Sequence, residues 1–125
     1  MYRCLMKASE FVGYLFLARD VAHSAHLATP SYAQHKALQE FYEGIIPLTD
    51  DFAEAYQGRH ELIGPVALQR AEKNSEIVEF LQDSLDTIET GRYEVCEKSD
   101  TAIQNIIDEI VGLYLSTLYK LRFLS

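Results

Sequence analysis

Several residue types are scarce in this 125-residue chain, and each scarcity removes a class of protein. The two cysteines, Cys4 and Cys96, are far apart and form no CxxC motif, which excludes a disulfide framework and predicts reduced thiols in an intracellular, cytoplasmic protein. The longest apolar run near the start, FVGYLFLA, has eight residues, whereas a membrane helix needs about 20. We therefore expect no membrane-spanning segment.

Basic residues are also few. Lysine and arginine number 11 against 19 acidic residues, giving a net charge of −8. Such a chain repels phosphate backbones, so we expect no nucleic-acid partner, and metal cations are better candidates as ligands. Hydrophobic residues make up 48% of the chain, which is typical of a folded protein, and the length predicts one domain over residues 1–125.

Apolar residues recur every three or four positions and predict four helices. The predicted helices run from Leu5 to Leu27, from Ser31 to about Tyr56, from Asn74 or Ser75 to about Glu89, and from Ser99 or Asp100 to about Phe123. Pro30 separates the first two helices and Ser31 can cap the second, which makes them an antiparallel hairpin. Pro47 predicts a bend in the second helix, and the segment TGRYEV is expected to end the third. The fold class that follows is all-α, a four-helix up-down-up-down bundle.

The segment HSAHLATPSYAQH contains three of the four histidines, His23, His26 and His35. Further along the second helix, Asp50 and Glu54 are four residues apart and can present two carboxylates to one ion. Imidazole together with carboxylate suits iron, manganese or zinc better than calcium or magnesium. For His26 the alternatives are a third ligand or a solvated neighbour of the site, and we favour the neighbour. We interpret His60 as a residue that complements the dipole at a helix end.

Geometry divides these groups between two places. His35 and Asp50 are fifteen residues apart on one helix, which is about 22 Å, so they cannot bind the same ion within a chain. One chain therefore carries two half-sites. A second copy packed antiparallel by two-fold symmetry would bring its carboxylates to the histidines of the first. A metal site thus predicts a homodimer or a larger homo-oligomer.

The spacing of His23, His35, Asp50 and Glu54 resembles the ferroxidase signature of the Dps-like branch of the ferritin-like proteins, over residues 11–58. The resemblance implies a ferritin-like bundle that oxidises ferrous iron at a site shared between two-fold related subunits. It further implies that Glu54 bridges the ions, that Asp50 and His23 bind one iron, and that His35 holds or orients the second. These four residues are thus the expected metal ligands and catalytic residues.

The chain also departs from that family. Ser24 follows the first histidine where family members carry tryptophan, a residue that this chain lacks altogether. The lysine-rich segment that holds DNA in the family has no counterpart here, so DNA binding is not carried over, and neither is a dodecameric cage. The chain is better described as a small relative of the kind that bacteria and phages encode. The alternative function is a non-catalytic interaction or structural protein that retains the bundle but has lost the metal site.

Overall fold

The computed structural model describes residues 5–71 and 76–124. These residues form four helices and contain no strand. The helices are α1 (Ala8–Ala28), α2 (Tyr32–Arg59), α3 (Ile77–Val95) and α4 (Thr101–Phe123). The all-helical fold class is confirmed for this part of the chain, and no described helix is long and apolar enough to cross a membrane.

The first two helices begin at recognisable caps. Helix α1 starts at Ala8 rather than at Leu5, because the Lys7 backbone N–H donates to the Glu10 carboxylate and fixes the first turn there. The Ser31 hydroxyl accepts from the Gln34 backbone N–H at 3.2 Å, so the predicted cap of α2 is confirmed. Helix α2 then continues through Pro47 for 28 residues. The proline does not end the helix.

Helix α3 is longer at its C-terminal end than the sequence predicts. Its N-cap is Glu76, whose carboxylate accepts from the backbone N–H groups of Val78 and Glu79; the predicted caps Asn74 and Ser75 lie outside the described residues. The expected stop at TGRYEV is wrong. Gly91 is buried, and a Cβ there would lie 2.7 Å from the Met6 sulfur, so close packing offsets the usual cost of glycine in a helix.

The core lies between the four helices and is rich in aromatic rings. Phe11 of α1 packs on Phe52 of α2 with ring centroids 4.7 Å apart, and Phe41 meets Tyr114 of α4 edge to face at 5.0 Å. All four rings are fully buried. The Tyr114 hydroxyl lies 2.7 Å from the Ser84 hydroxyl of α3, which satisfies the polar end of the buried phenol and links α3 to α4.

Contacts between helices fix their directions. The start of α1 meets the end of α3, since the Met6 backbone N–H donates to the Glu94 carboxylate at 3.0 Å. Helices α3 and α4 are antiparallel, because Arg92 near the end of α3 pairs with Asp108 near the start of α4 at 2.6 Å. Helices α2 and α4 are also antiparallel, as the ion pair between Glu40 and Lys120 shows.

The resulting order is up-down-down-up, so the predicted up-down-up-down topology is wrong. Helices α2 and α3 are diagonal to each other, and α1 and α4 form the other diagonal. Residues 60–76 connect α2 to α3, and 17 residues can reach well beyond the roughly 28 Å of a 19-residue helix. The described part of this crossover packs along α1, where the Ala67 N–H donates to the Ser9 carbonyl at 3.1 Å.

Candidate functional site

Three histidines and a tyrosine meet where α1 turns into α2, and we call His23, His26, His35 and Tyr42 the histidine cluster. The rings of His26 and His35 are stacked with centroids 3.6 Å apart. Each ring also bonds to the other residue's backbone: His26 Nδ1 lies 2.7 Å from the His35 carbonyl oxygen, and His35 Nδ1 lies 2.8 Å from the His26 carbonyl oxygen. The two residues therefore clamp the hairpin reciprocally.

The hairpin sequence explains why this clamp forms. In a continuing helix the carbonyl of His26 would accept from the N–H four residues later, but that residue is Pro30, which has no N–H. The His35 ring supplies the missing donor. Since a carbonyl oxygen only accepts, Nδ1 of both rings must carry a proton. Each neutral ring then has its lone pair on Nε2, the nitrogen that could bind a metal while Nδ1 is held by the backbone.

His26 is 6% exposed, so its interpretation as a solvated neighbour is wrong. Its ring packs against His35 and meets Tyr42 edge to face with centroids 5.1 Å apart. Helical periodicity alone places His26 at the margin of the core. The stacked His35 ring covers it and thereby buries it. His26 is therefore a structural member of the histidine cluster.

His23 occupies a different position in the cluster. Its ring stacks on Tyr42 with centroids 4.2 Å apart and an interplanar angle of 17°. The Arg19 guanidinium lies over the same tyrosine, 5.5 Å from the ring centroid. His23 is half-buried, and no hydrogen bond from its ring is found among the described residues. Tyr42 thus orients the imidazole and leaves both of its nitrogens without a protein partner.

Asp50 and Glu54 form a carboxylate pair further along α2. Both residues are exposed and, within the described ranges, neither makes a hydrogen bond or an ion pair. Because α2 is unbroken from Tyr32 to Arg59, the separation of about 22 Å between His35 and Asp50 along the helix stands. One chain therefore does not bring its histidines and this carboxylate pair together. Accordingly, no group of three or more metal-binding side chains occurs in residues 5–71 and 76–124.

A shallow groove of about 260 Å³ lies between the two half-sites, on the outer face of α1 and α2. Its lining is Leu15, Phe16, Arg19, Asp20, Ile45, Ile46, Thr49 and Asp50. Phe16 is 40% exposed and Ile46 44%, so the groove has an apolar floor open to solvent. Arg19 and Asp20 pair with each other at its edge at 3.0 Å. The histidine cluster, the groove and the carboxylate pair together form the α1–α2 face.

A second polar cluster, which the sequence patterns did not indicate, lies at the opposite end of the bundle. His60 Nε2 is 3.4 Å from the Asp100 carboxylate and Arg59 Nε is 3.6 Å from it. Asp100 occupies the N-cap position of α4 without capping it, and its Oδ2 is the one buried side-chain oxygen or nitrogen in the described chain without a hydrogen bond. His60 is at the C-terminal end of α2, as predicted, and it also connects α2 to the start of α4 through Asp100.

Two groups near Asp100 have raised pKa values. Burial, and then the negative charge of Asp100, raise the pKa of the Cys96 thiol, while burial, and then Glu61, raise that of Tyr56. Both groups line or adjoin an open cavity of about 680 Å³ at this end. A thiol with a raised pKa is a poor nucleophile, so Cys96 is not a candidate catalytic nucleophile. Cys96 is a free thiol, as predicted, while Cys4 lies outside the described residues.

The chain is thus a four-helix protein whose α1–α2 face carries imidazoles at one end and carboxylates at the other. It belongs to a family of unknown function, DUF5856, whose model matches residues 26–121. That range includes His35, Asp50 and Glu54 but starts after His23. The chain is also 31% identical to the "uncharacterized 14.6 kDa protein in mobD-ri intergenic region" of Enterobacteria phage T4, over 92% of this chain and 88% of that protein. This similarity agrees with the expected phage-type relative. No solved structure matches the chain.

Proposed function

We propose that two copies of this chain pair through their α1–α2 faces and form two equal metal sites that oxidise ferrous iron. Each site would take His23 and His35 from one copy and Asp50 and Glu54 from the other. The observation that carries this function is the arrangement of the α1–α2 face: free carboxylates and oriented imidazoles lie on one unbroken surface, about 22 Å apart along α2. Manganese or zinc would fit the same donor set.

The topology supports a ferritin-like fold. Helical bundles of the ferritin-like type have one long crossover connection, and here residues 60–76 connect two helices that are diagonal in the bundle. The described part of the crossover packs on α1 near Ser9 and does not line the groove. A fold of this kind presents the first hairpin to a partner.

The α1–α2 face is self-complementary under a two-fold axis. An antiparallel partner would place the carboxylate pair, which makes no ion pair with the described residues of its own chain, against the imidazole end of the first copy. The exposed side chains of Phe16 and Ile46 lie in the middle of this face. In the dimer they would pack against the same residues of the partner and be buried from water. Apolar contact would then stabilise the dimer, and charge pairing would fix its register.

The chemistry follows from the donors. Two carboxylates would partly neutralise the charge of the bound cations. The half-buried His35 ring, held through Nδ1 by the His26 carbonyl, would direct its Nε2 toward a metal. Each of two ferrous substrate ions would give one electron to dioxygen, which takes up two protons and leaves as hydrogen peroxide. Glu54 would lie between the two ions, with Asp50 and His23 on one of them and His35 on the other.

The first experiment measures metal content and mass together. The wild-type protein, His23→Ala and Glu54→Gln are incubated anaerobically with ferrous iron, desalted, and analysed by mass spectrometry for iron and by light scattering for assembly size. His60→Ala is the matched control, since this histidine pairs with Asp100 and is not a ligand of the proposed site. We expect iron in the wild type and in the control, and loss of iron in the other two variants. A wild type that retains no transition metal would disprove the proposal.

Mixing two inactive variants distinguishes a shared site from one within a chain. A dimer of His23→Ala with Glu54→Gln has one site without defects, built from the histidines of the second variant and the carboxylates of the first. Random exchange of subunits would therefore restore about a quarter of the wild-type sites. No recovery after subunit exchange, while each variant remains dimeric, would show that the ligands do not come from two chains.

A second candidate function is supported by the reciprocal bonds between His26 and His35. These bonds give both histidines a structural role that needs no metal, and Pro30 explains one of them because it leaves the His26 carbonyl without a backbone donor. The chain would then be a non-catalytic interaction protein that uses its exposed apolar surfaces. A wild type that binds no metal but assembles, with unaltered assembly in the alanine variant of His23, His35, Asp50 and Glu54, would favour this function.

A further inference from the structure

Helix α4 has an exposed surface without charge in a strongly acidic chain. Residues 110–119, IVGLYLSTLY, contain no ionisable acid or base other than tyrosine, although the chain as a whole has a net charge of −8. Leu115, Tyr119 and Phe123 are exposed by 53%, 54% and 73%. With Gly112 and Ser116, which are also exposed, these residues form what we call the α4 stripe. It lies on the helix away from the α1–α2 face.

The α4 stripe has its two smallest residues in its N-terminal half and two large rings in its C-terminal half. Gly112 and Ser116 are on the same side of the helix as Tyr119 and Phe123, because spacings of three, four and seven residues return to one face. A Cβ at Gly112 would meet nothing within 4 Å, so this position is open. The two large rings, with centroids 6.0 Å apart, project from the other half of the stripe.

The small and large positions match when a second α4 is laid antiparallel on the first. A two-fold axis midway between Ser116 and Tyr119 places Tyr119 of each copy opposite Ser116 of the other, and the same axis places Phe123 opposite Gly112. Both pairs follow from one register without adjustment. Large side chains that enter spaces above small ones are how packed helices fit together.

Charge favours the same occupant. Two ionised residues that border the stripe are already paired within the chain, since Lys120 contacts Glu40 of α2 and Asp108 contacts Arg92 of α3. Glu109, three residues before Gly112, and Arg122, next to Phe123, carry opposite charges at the two ends of the stripe. A second copy is itself acidic, so most of this protein's surface would repel it. The repulsion would be weakest at a face without charge. Antiparallel helices also set opposite ends of their dipoles side by side.

We infer that the α4 stripe is a self-association surface, on which α4 of a second copy packs antiparallel with Phe123 over Gly112 and Tyr119 over Ser116. This two-fold contact is separate from the proposed pairing of α1–α2 faces. A chain with two different two-fold contacts assembles beyond a dimer. The α4 contact does not depend on metal binding.

The test compares assembly masses by sedimentation or light scattering over a range of protein concentrations. Gly112→Leu fills the space that Phe123 of the partner would occupy. Asn105→Leu adds the same side chain to an exposed position on the same face of α4, two turns before Gly112, where the proposed register places no residue of the partner's α4. We expect Gly112→Leu to halve the mass of the wild-type assembly and Asn105→Leu to leave it unchanged. Far-ultraviolet circular dichroism verifies that both variants are folded.

A compensating change makes the register itself testable. The double variant Gly112→Leu/Phe123→Ala places the large side chain at residue 112 and the small one at residue 123 of each predicted contact. It should restore the mass of the wild-type assembly. Residues 112 and 123 are about 16 Å apart along the same helix, so such a rescue can only arise between chains. A wild-type mass that Gly112→Leu does not lower would overturn the inference and assign the stripe to a different partner. If Gly112→Leu lowers the assembly mass and the double variant does not restore it, the proposed register is wrong.

Discussion

The buried polar side chains among the described residues are each held by a backbone carbonyl; they are His26, Thr49, Gln104 and Thr117. The clearest case is His26, whose ring is buried and bonded to the His35 carbonyl. Its own carbonyl receives the His35 ring because Pro30 cannot donate. A buried histidine is here a consequence of a proline four residues later.

We expect His26→Ala to lower the free energy of unfolding by about 2–4 kcal/mol. The substitution removes a buried ring, a hydrogen bond and the stacking that positions His35. Urea denaturation measures the change, and His23→Ala is the control, since His23 is half-buried and makes no hydrogen bond in the described chain. Equal losses in the two variants would contradict the proposed clamp.

Cys96 should react slowly with thiol reagents. Burial raises the pKa of its thiol, and Asp100 raises it further, so little thiolate is present near pH 8. In a Cys4→Ser background, the folded protein should react with a disulfide reagent more slowly than the urea-unfolded chain, because the raised pKa and the burial of the thiol both lower the amount of accessible thiolate. Because the folded pKa is raised, this thiol's contribution to stability is present at neutral pH and is lost as pH rises above the unfolded value. Equal rates for the two states would show an accessible thiolate.

At the scale of elements, the position of the crossover depends on a close contact between its backbone and α1. Gly13 of α1 faces the crossover backbone so closely that a Cβ would overlap the Ala67 carbonyl oxygen. The neighbouring bond from Ala67 N–H to the Ser9 carbonyl fixes the same contact. A glycine inside α1 therefore permits the crossover to pack on the helix.

Gly13→Ala should destabilise the protein by about 2 kcal/mol or more, because the added methyl group displaces a backbone segment rather than a flexible side chain. The control is Gly58→Ala in α2, where a Cβ meets nothing within 4 Å. There alanine should stabilise by about 0.5–1 kcal/mol, as it does in open helical positions. Thermal unfolding of both variants would show opposite shifts, and a stabilised Gly13→Ala would be inconsistent with the crossover contact.

The sequence predicted the helices well and their arrangement poorly. Apolar periodicity and the Ser31 cap placed all four helices, because these signals are local. The end of α3 was missed because Gly91 looks like a helix stop until it is seen packed on Met6, a contact between distant parts of the chain. The topology was missed because 17 connecting residues are compatible with either a neighbouring or a diagonal helix. The half-sites could be proposed from spacing alone, whereas the burial of His26 depends on stacking across the turn.

At the scale of the whole molecule, metal binding should be coupled to assembly. If His23 of one copy and Glu54 of another hold the same ion, a metal stabilises the dimer as well as the fold. Zinc, which fits the same ligands and does not change oxidation state, should therefore raise the Tm of the wild type and lower the dissociation constant of its dimer.

The matched variants for this measurement are Glu54→Gln and Glu109→Gln. Each removes one exposed carboxylate from a helix, but only the first belongs to the proposed site. Zinc should leave the Tm of Glu54→Gln unchanged and should raise that of Glu109→Gln as it does for the wild type. An equal rise in all three proteins would indicate binding elsewhere.

The crossover also connects two hairpins that pack on each other around one shared core. Helices α1 and α2 form one hairpin that turns at Pro30, and α3 and α4 form another that turns near Ser99 at the opposite end. A chain cleaved within the crossover would retain both turns and all four helices, and the two fragments would be held together by their packed faces and by the crossover residues that remain on α1. Co-expression of the two hairpins as separate polypeptides should accordingly reconstitute the bundle, which makes each hairpin a natural unit for exchange between relatives.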